Sequence, residues 1–516
     1  MPWLLAATLA LSALGDDSDL PIVDSIEVVV EDVFEEEGFV PDLWAYRLAN
    51  RLHIKTRESI IRQELLFTEG EPVSKEDLEQ TERNLRALPF LRLARVETTP
   101  TKQGRLRVRV VASDAWTTVP ELRLAKVGNV WVWSAGAAER NLLGYGKQLR
   151  IARRSDIDRD QTFLSYRDPR VAGSRFGATA FLSDASDGHH VFLSTLRPFF
   201  SLQTLWSTRV QFEDYDRLDP VYADGERVDD LIHLRRRVEL DLGRAVRRTT
   251  TSALRVHLGY DFIEDEIDSG LDHRRFGMIR VGVSSVGHRF LKLTHVNRFE
   301  RPEDINLGGQ ASAFVGLSTP TLGGEDQSSL FYFLSANRGF RLSPGGFLLT
   351  HVSWQARDRN ERIENSFAVV RVNAIQKLSQ RRLVLAKAEL RHGHNLDPEV
   401  QIRLGAESGL RGYPVRQFNG NRAFLASLEG RWFFADDVAD LVSMGVAGFF
   451  DSGYAWPDGQ PMTFSDFRSD VGLSLLLGAS RGSAARPGIR IDFAYALSPL
   501  EGRSRWLISA GSQIGF

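Results

Sequence analysis

Beyond about residue 119, apolar and polar side chains alternate along the chain with a period of two. In residues 251–262 the apolar positions are Leu254, Val256, Leu258, Tyr260 and Phe262, and between them stand Arg255, His257, Gly259 and Asp261. Residues 232–242 and 489–497 follow the same pattern. A soluble β-sandwich would also alternate. About 400 residues of such strands without a helical layer nevertheless favour a closed barrel with a wet lumen.

The alternating region contains about twenty candidate strands between residues 130 and 516. Up to fifteen lie before residue 420, and five lie after it, beginning near Ala423, Ser443, Asp470, Ile489 and Trp506. Strand edges cannot be left unpaired inside a bilayer, so every strand must have two neighbours. The pattern predicts a mostly-β fold in which residues 119–516 form an antiparallel transmembrane β-barrel.

Residues 21–115 show a different pattern that mixes strands and helices. A strand is predicted at 25–30, a helix at 57–67, and a second helix that begins after Ser74 and ends before Pro89. Two short strands at 94–98 and 106–111 follow, joined by a turn at 102–104. The expected order is strand, helix, helix, strand, strand.

The first residues carry an apolar stretch at positions 3–14, followed by an acidic segment. Its length suits the core of a signal peptide and is too short to span a membrane, and Ala13 and Gly15 are small enough for a cleavage site. Residues 1–15 are therefore predicted to be a signal peptide, although no Lys or Arg precedes the apolar core. A buried N-terminal helix is the alternative.

Composition narrows the class of protein. The chain has 516 residues, a formal net charge of −2 and no cysteine, which argues against a basic nucleic-acid binder and excludes thiolate chemistry and disulfides. Mean hydropathy is −0.23, as expected when lipid-facing and lumen-facing residues alternate. No run of about 18 apolar residues marks a membrane-spanning helix.

Few residues suggest catalysis or metal binding. His189 with His190, and His392 with His394, lack supporting ligands at suitable spacing, so no metal is expected. The sequence contains no recognisable phosphate loop, nucleophile elbow or catalytic carboxylate pair, so the protein is not expected to be an enzyme or to need a cofactor. A basic cluster at Arg235–Arg237, Arg244, Arg247 and Arg248 is interpreted as a solvated rim, with lipopolysaccharide contact or a lumen lining as alternatives.

Several motifs resemble those of the BamA/TamA superfamily of outer-membrane insertases and transporters. They are Gly409-Leu-Arg-Gly-Tyr-Pro414, Phe424 to Trp432, Phe449-Phe-Asp-Ser-Gly453, Glu139-Arg-Asn-Leu-Leu-Gly-Tyr-Gly146 and Tyr166-Arg-Asp-Pro169. Residues 21–115 resemble one POTRA domain, with a longer insertion at 34–54. The resemblance implies a single-POTRA member with a surface-antigen-type barrel of sixteen strands, fewer than the pattern allows.

Within this resemblance, residues 409–414 correspond to the tip of a long loop folded back into the lumen. The alternation places Glu429 and Asp451 on lumen-facing positions of their strands. Arg411 can then meet Asp451 in a bidentate pair, which Lys cannot form. The resemblance implies a structural latch made of Arg411, Gly412, Tyr413, Asp451 and Gly453, with Glu429 as a secondary partner.

Two further sets of residues are assigned by resemblance. Glu139, Asn141, Gly144 and Gly146 correspond to the motif near the end of the first strand, and the last strand ends in Phe516, as in outer-membrane barrels whose final aromatic is read by the assembly machinery. Gly511 and Gly515 remove side chains from the last strand and weaken its packing at the seam between first and last strands. Strand 106–111 is expected to offer a free edge to clients.

The implied function is assembly, insertion or translocation of polypeptides at the outer membrane of a Gram-negative bacterium, by opening of the seam and β-augmentation of client strands. The expected partners are outer-membrane lipids and lipopolysaccharide, unfolded outer-membrane or secreted polypeptides, and a periplasmic partner reached through the POTRA-like domain. Nucleic acid is not expected. The alternatives are a passive, porin-like channel on the same scaffold and a purely structural surface barrel.

Overall fold

A computed structural model describes residues 20–33, 51, 53–268, 272–439, 441–480 and 488–511. The expected signal peptide at residues 1–15 lies outside this set, as do nearly all of the 34–54 insertion and the terminal residues Gly515 and Phe516. Within the described part, no helix is long and apolar enough to cross a membrane.

The N-terminal domain packs two helices against a three-stranded sheet. Its elements are β1 (Val23–Glu31), α1 (Glu58–Arg62), α2 (Lys75–Ala87), β2 (Leu91–Pro100) and β3 (Leu106–Asp114). The core contains side chains from every element, among them Val23, Ile61, Leu85, Leu91 and Val110. The order of the elements is the order that the hydrophobic pattern predicts.

Both helices show how the local sequence sets their ends. The Ser74 hydroxyl accepts a hydrogen bond from the Asp77 backbone N–H and so caps the start of α2. Helix α1 is shorter than the 57–67 segment that its pattern predicts. After Ile61 the chain tightens, since the N–H groups of Glu64 and Leu65 bond to carbonyls only three residues back.

Strand β3 is the central strand of the N-terminal sheet, so the expectation that residues 106–111 form a free edge is wrong. It pairs in parallel with β1 on one side and antiparallel with β2 on the other. The start of the outer edge of β1 is covered by the segment between α1 and α2, where the Val23 N–H donates to the Glu71 carbonyl at 2.9 Å. The end of β2, residues 97–100, is exposed and offers an accessible edge among the described residues.

The rest of the chain forms a large barrel whose first ten strands follow one another as simple hairpins. These strands are β4 (Thr118–Val127), β5 (Val130–Leu142), β6 (Lys147–Ser155), β7 (Asp160–Asp168), β8 (Gly177–Ala185), β9 (Gly188–Arg197), β10 (Trp206–Ala223), β11 (Glu226–Arg248), β12 (Ser252–Ile267) and β13 (Asp272–Gly287). Short 3-10 turns lie at Val171–Gly173, Pro320–Leu322 and Phe464–Asp466.

The second half adds ten more wall strands and two small inner sheets. The inner sheets are β14 (Phe290–Leu293) with β15 (Glu303–Asn306), and β21 (Ile402–Leu404) with β22 (Phe418–Gly420). The wall strands are β16 (Gln310–Ser318), β17 (Ser329–Arg341), β18 (Gly346–Arg359), β19 (Arg362–Lys377), β20 (Arg382–His394), β23 (Arg422–Val438), β24 (Val442–Trp456), β25 (Arg468–Ala479), β26 (Ile489–Ala496) and β27 (Trp506–Gly511).

Among the described residues the wall thus has twenty strands, and β27 lies next to β4. The sixteen strands implied by the family resemblance are wrong for this chain. The five strands that the alternating pattern predicts after residue 420 are confirmed. The wall has fifteen strands before that residue, within the upper count from the pattern, but one of them, β4, precedes residue 130, where that count began. Each strand keeps its own alternation of inward and outward side chains, and for this reason the pattern counts the strands more reliably than the resemblance does.

The wall exposes apolar side chains outward and encloses polar ones. On β12 the outward residue Leu258 is 53% exposed, while Asp261 on the opposite face is buried. On β25 and β26 the outward Leu473 and Phe493 contrast with the buried Ser474 and Asp492. An apolar outer surface around a polar interior is the arrangement of a membrane-spanning β-barrel.

The two ends of the barrel differ. At one end, called the domain end below, the turns at 143–146 and 169–176 contact the N-terminal domain. The opposite end, called the far end, carries the turns at 128–129 and 224–225. The segments that contain the two inner sheets fold into the lumen, residues 288–309 from the domain end and residues 395–421 from the far end.

Candidate functional site

The loop at residues 395–421 joins β20 to β23 and turns back into the barrel. Leu410 and Tyr413 at its tip are fully buried and pack with Leu425 and Ala455 of the wall. The tip is closed by the Gly405 carbonyl, which accepts hydrogen bonds from the N–H groups of Gly409 and Leu410. Apolar burial and local turn bonds therefore position the intervening residues against the inner wall.

Arg411, at this tip, binds two acidic residues of the wall. Its Nε donates to Asp451 Oδ2 at 2.7 Å and its Nη2 to Asp451 Oδ1 at 2.8 Å, which is a bidentate pair. Its Nη1 donates to Glu429 Oε2 at 2.7 Å. The guanidinium also lies 3.5 Å from the centre of the Phe449 ring. A planar guanidinium can bind the Asp451 carboxylate in a bidentate pair and donate to Glu429 at the same time, which the ammonium group of Lys cannot do.

Burial and ionic contacts act in opposite directions on the Arg411 side chain. Burial alone would lower its pKa, but the hydrogen bonds and charge of Asp451 together with the charge of Glu429 raise the pKa above its ordinary value. Arg411 therefore carries its positive charge at every physiological pH.

The neighbours of Arg411 are fitted closely to the wall. A Cβ atom on Gly412 would lie 2.6 Å from the Cβ of Asp470, so a larger residue would push the loop away. The Tyr413 hydroxyl lies 3.0 Å from the carbonyl oxygens of Ser469 and Ser498, to which it can donate, and burial raises the pKa of Tyr413 to about 12. Gly453 lies where a Cβ would be 2.6 Å from the Phe424 carbonyl oxygen.

Glu429 is the hub of the cluster rather than a secondary partner. Besides Arg411, it accepts hydrogen bonds from Arg431 Nε at 2.6 Å and from Arg490 Nη1 and Nη2 at 3.0 and 2.8 Å. Sequence reasoning missed Arg431 and Arg490 as site residues. Their only signal is that both stand at inward positions of their strands and share that face with an acidic residue, Glu429 on β23 and Asp492 on β26.

Asp470 adds a second acid beside Asp451. The two residues are direct partners in the β24–β25 ladder, and both are fully buried. The cluster thus combines three guanidinium groups, of Arg411, Arg431 and Arg490, with the carboxyl groups of Glu429, Asp451, Asp470 and Asp492. Asp470 forms no ion pair with any residue of the described set. Asp451 and Glu429, by contrast, are each paired.

The loop is also tied to the turns of the far end. Arg416 forms a bidentate pair with Asp158, in the turn between β6 and β7. The Val415 N–H donates to Asn129 Oδ1 at 3.2 Å, and Gln417 Nε2 donates to the Asp224 carbonyl at 3.0 Å. These three contacts fix the loop over hairpins from distant parts of the ring.

The residues assigned to the end of the first strand lie instead at the end of the second wall strand, β5, because β4 precedes it and borders β27. They lie at the junction between the barrel and the N-terminal domain. Asn141 Nδ2 donates to Thr56 Oγ1 at 2.8 Å, and the Gly146 N–H donates to Asn141 Oδ1 at 2.7 Å. Glu139 accepts a hydrogen bond from the Asn141 N–H at 2.7 Å. Gly144 has a φ of 76°, and a Cβ there would collide with the Lys55 carbonyl oxygen. The motif therefore shapes a turn on which the N-terminal domain sits.

A second turn grips the same domain. Arg170, which follows the Tyr166-Arg-Asp-Pro169 motif, donates through Nε to Glu64 Oε1 at 2.8 Å. Arg175 Nη2 donates to the Leu65 carbonyl at 3.3 Å. Both contacts reach the segment that follows α1, so two successive turns of the barrel hold one side of the domain.

The seam is described only in part. Ser509 of β27 accepts a hydrogen bond from the Gly128 N–H in the turn between β4 and β5, at 2.9 Å. Within the described part of the chain, a Cβ on Gly511 would meet only Arg123 Nη2, at 3.9 Å. Gly515 and Phe516 lie outside the described residues.

The basic cluster is divided: Arg236, Arg244, Arg247 and Arg248 are exposed, as a solvated rim predicts, whereas Arg235 and Arg237 are not. Arg235 and Arg237 face the lumen, where Arg235 pairs with Asp265 at 2.5 and 2.9 Å and Arg237 Nη2 donates to Glu239 at 3.0 Å. Arg236 is exposed and pairs with Asp214 at 3.1 Å. The alternation along β11 separates these neighbours, because successive residues of a strand face opposite sides of the sheet.

Comparisons with known proteins find similar solved structures. No protein-family model and no curated protein matches the sequence. Among solved structures, the chain is similar to the crystal structure of BamA from Haemophilus ducreyi lacking POTRA domains 1–3, at 13% identity and a TM-score of 0.40, over 95% of this chain and 84% of that one.

Two structures of CdiB are also similar to the chain. CdiB from Acinetobacter baumannii is 11% identical with a TM-score of 0.45, over 95% of this chain and 73% of its own. CdiB from Escherichia coli is 13% identical with a TM-score of 0.47, over 96% and 78%.

Proposed function

We propose that this protein assembles, inserts or translocates polypeptides at the outer membrane of a Gram-negative bacterium, without a cofactor. The observation that carries the proposal is the buried Arg411 pair with Asp451, which holds the 395–421 loop inside a membrane barrel. The POTRA resemblance of residues 21–115 supports a periplasmic location for the N-terminal domain. The domain end of the barrel is then periplasmic and the far end extracellular.

The physical problem that such a protein solves is the cost of unpaired strands in lipid. A client strand that enters the membrane must satisfy its backbone N–H and C=O groups, and pairing with a strand at an open seam does so. The seam between β4 and β27 is the proposed site of entry. The accessible edge of β2 at residues 97–100 is the proposed place where an extended periplasmic client first adds to a sheet.

A passive channel on the same scaffold is the competing hypothesis. It requires an open lumen, whereas the 395–421 loop lies in the lumen and is tied to the turns of the far end. Outer-membrane lipids and lipopolysaccharide are the proposed surroundings of the apolar outer face, and a further periplasmic protein is proposed to bind the N-terminal domain.

Site-specific photo-crosslinking in native outer membranes tests the proposal. A probe replaces Ile508, an outward residue of β27, and the matched control replaces Leu258, an outward residue of β12 with similar exposure. We expect adducts with nascent barrel or secreted polypeptides at residue 508 and none at 258. A third probe at Thr99 tests capture on the β2 edge.

Two results would reject polypeptide handling. One is equal capture at residues 508 and 258, which would mean that the seam is no different from the remaining wall. The other is absence of polypeptide adducts at all three sites while the purified protein conducts ions steadily in planar bilayers. The second result would establish the channel in its place.

A further inference from the structure

The connection between β13 and β16 is much longer than a turn needs to be. It runs over residues 288–309, whereas residues 342–345 join β17 to β18 and residues 378–381 join β19 to β20 at the same end. Two to five residues are enough to reverse an antiparallel strand. Most of the 288–309 segment therefore serves some purpose other than connection.

The tip of this segment lies inside the barrel. Val296 and Phe299 are buried, and the Phe299 ring lies 5.1 Å from the ring of Phe433 on β23. A Cβ on Gly478 of β25 would collide with the Phe299 ring, so the wall has a recess that fits it. The apolar cluster is completed by inward side chains of five wall strands, Phe347, Ile375, Leu383, Leu385, Ala447 and Leu476.

The segment thus crosses the opening instead of following the rim. It leaves the wall between β13 and β16, and its tip packs on β23 and β25, five and seven strands further around a ring of twenty. Contacts at this separation span a large part of the domain-end mouth. An apolar cluster of this kind excludes water from the region that it fills.

Polar contacts seat the tip in one orientation. His295 Nε2 lies 3.0 Å from Asp436 Oδ1, and Ser443 donates to Glu300 Oε2 at 3.0 Å. The tip is also ordered by itself, because Glu303 accepts hydrogen bonds from the backbone N–H groups of residues 296, 297 and 298 at 2.9–3.2 Å. A preformed tip loses little further entropy when it enters its recess.

The N-terminal domain holds the outer part of the same segment through one face of α2. Arg86 binds Asp304 in a bidentate pair, with Nε to Oδ2 at 2.8 Å and Nη2 to Oδ1 at 2.7 Å. Lys292 Nζ donates to Glu82 at 3.0 Å, and the Arg83 guanidinium lies 4.5 Å from the centre of the Phe290 ring. Residues 82 and 86 are one helical turn apart, so they lie side by side on α2.

The inner part of the segment touches the arginine cluster. Arg431 Nη1 donates to the Val296 carbonyl at 2.8 Å, while its Nε donates to Glu429, the acid that also binds Arg411. Direct contacts therefore run from α2, through residues 288–309 and Arg431, to the loop that enters from the other end.

We propose that residues 288–309 are a plug that closes the domain end of the lumen, and that docking of α2 on the plug keeps it seated. Displacement of the N-terminal domain, by a client or a partner, would then release the plug. The proposal goes beyond polypeptide handling and does not depend on it, because a seated plug is detected without any client.

Cysteine labelling tests whether the plug is seated. The chain has no cysteine, so Val296→Cys in the full-length protein provides a single thiol. Leu342→Cys, in an exposed turn at the same end, is the reference. We expect a water-soluble charged maleimide to react with residue 296 on the order of a hundredfold more slowly than with residue 342. Equal rates would overturn the plug.

Charge reversal tests the role of α2. Arg86→Glu is combined with Val296→Cys and is expected to raise the labelling rate of residue 296 on the order of tenfold, because it breaks a charged bidentate pair. Adding Asp304→Arg is expected to restore slow labelling. Lys75→Glu, at an exposed position of the same helix, is the matched control and should change nothing. An unchanged labelling rate of residue 296 in Arg86→Glu would overturn the proposal that docking of α2 keeps the plug seated.

Ion conductance tests closure itself. A variant in which residues 290–306 are replaced by a four-residue Gly-Ser turn is expected to conduct several-fold more than the parent in planar bilayers, and conductance equal to the parent would overturn closure. Heat-modifiable migration on gels verifies that the barrel has folded. If this deletion does not fold, the same conductance assay is applied to Arg86→Glu and to Arg86→Glu with Asp304→Arg. Closure then predicts higher conductance in the first variant and conductance equal to the parent in the second. If client crosslinking fails while residue 296 is still labelled slowly, the proposed function is rejected and the plug is not.

Discussion

Two segments of this chain fold into the same lumen from opposite ends, and they are held by different forces. The 395–421 loop adds directional charge, from Arg411 on Asp451 and Glu429, to the apolar burial of its tip. The tip of the 288–309 segment is held chiefly by apolar packing around Phe299 and Phe433. Charged hydrogen bonds specify one geometry because their donors and acceptors must align. The free energy of apolar packing depends on the area buried, so it changes little when the packed groups move slightly.

This difference suggests that the two segments respond differently to perturbation. Removing one member of the charged cluster leaves buried partners unpaired, which costs more than the lost attraction. Removing an apolar group from the plug leaves a cavity, and lumen water can fill part of it. A single substitution in the charged cluster is thus expected to release the 395–421 loop, whereas a single substitution in the apolar cluster is expected only to loosen the plug.

The largest effect is expected for Arg411→Ala. Asp451 would lose its ion pair and Glu429 one of its three, which leaves a buried negative charge uncompensated. We expect the docked loop to lose about 3–5 kcal/mol of stability. Arg411→Lys should recover only a small part of this loss, because an ammonium group cannot form the bidentate pair. Limited proteolysis within residues 395–421 of the folded barrel measures the change.

Asp470→Asn is the matched control for that experiment. It removes a carboxyl group beside Asp451 at almost constant volume, and in the described structure no ion pair is lost. We expect the loop to stay as protected as in the parent or to become better protected. Loop cleavage as fast as in Arg411→Ala would show that charge at residue 470 is part of the latch, and would contradict the assignment.

A smaller effect is expected for Phe299→Ala. The change empties the recess beside Gly478 and should cost the seated plug about 3 kcal/mol, less where water enters. Hydrogen exchange of residues 290–306 should rise markedly while the 395–421 loop stays protected. Phe340→Ala, on an exposed outward ring, is the control. Equal loosening of both inner segments would mean that they are held as one unit.

The smallest effect is expected for a change of pH, which acts on the ion pair between Arg416 and Asp158. Burial raises the pKa of Asp158, but the hydrogen bonds and charge of Arg416 lower it more, so the pKa lies below its ordinary value. The stabilisation from this pair is therefore complete above the ordinary pKa of Asp, about 3.9, and is lost as the pH falls through the lowered value.

Loop protection near residue 416 should accordingly be constant from pH 7 to about pH 4 and weaken below it, by about 1 kcal/mol or less for a partly exposed pair. Asp158→Asn should remove this pH dependence. The same dependence in Asp158→Asn would assign it to another carboxyl group of the loop, such as Glu407.

Much of the wall could be predicted because its signal is local. Alternation with period two depends only on neighbouring residues, and it yields the five strands after residue 420 and allows up to fifteen before it. The motif around Arg411 was equally readable, since Glu429 and Asp451 stand at inward positions of predictable strands. The structure does bring these three side chains together.

Other features were not readable because they depend on contacts distant in sequence. The hub role of Glu429 requires Arg490, which is 61 residues away, and the seat of Phe299 requires Phe433. The central position of β3 also follows from pairing, since an edge strand and a central strand of a small sheet have similar sequences.

The sequence by itself determined the class of fold and the faces of the wall strands, and its alternating pattern allowed the twenty strands that the described wall contains. All of these follow from the periodicity of side chains along a strand. Only the tertiary structure decided that residues 288–309 cross the mouth of the barrel and that α2 binds them. Loops carry no periodic signal, and where they settle depends on apolar recesses and charges contributed by strands far away in the chain.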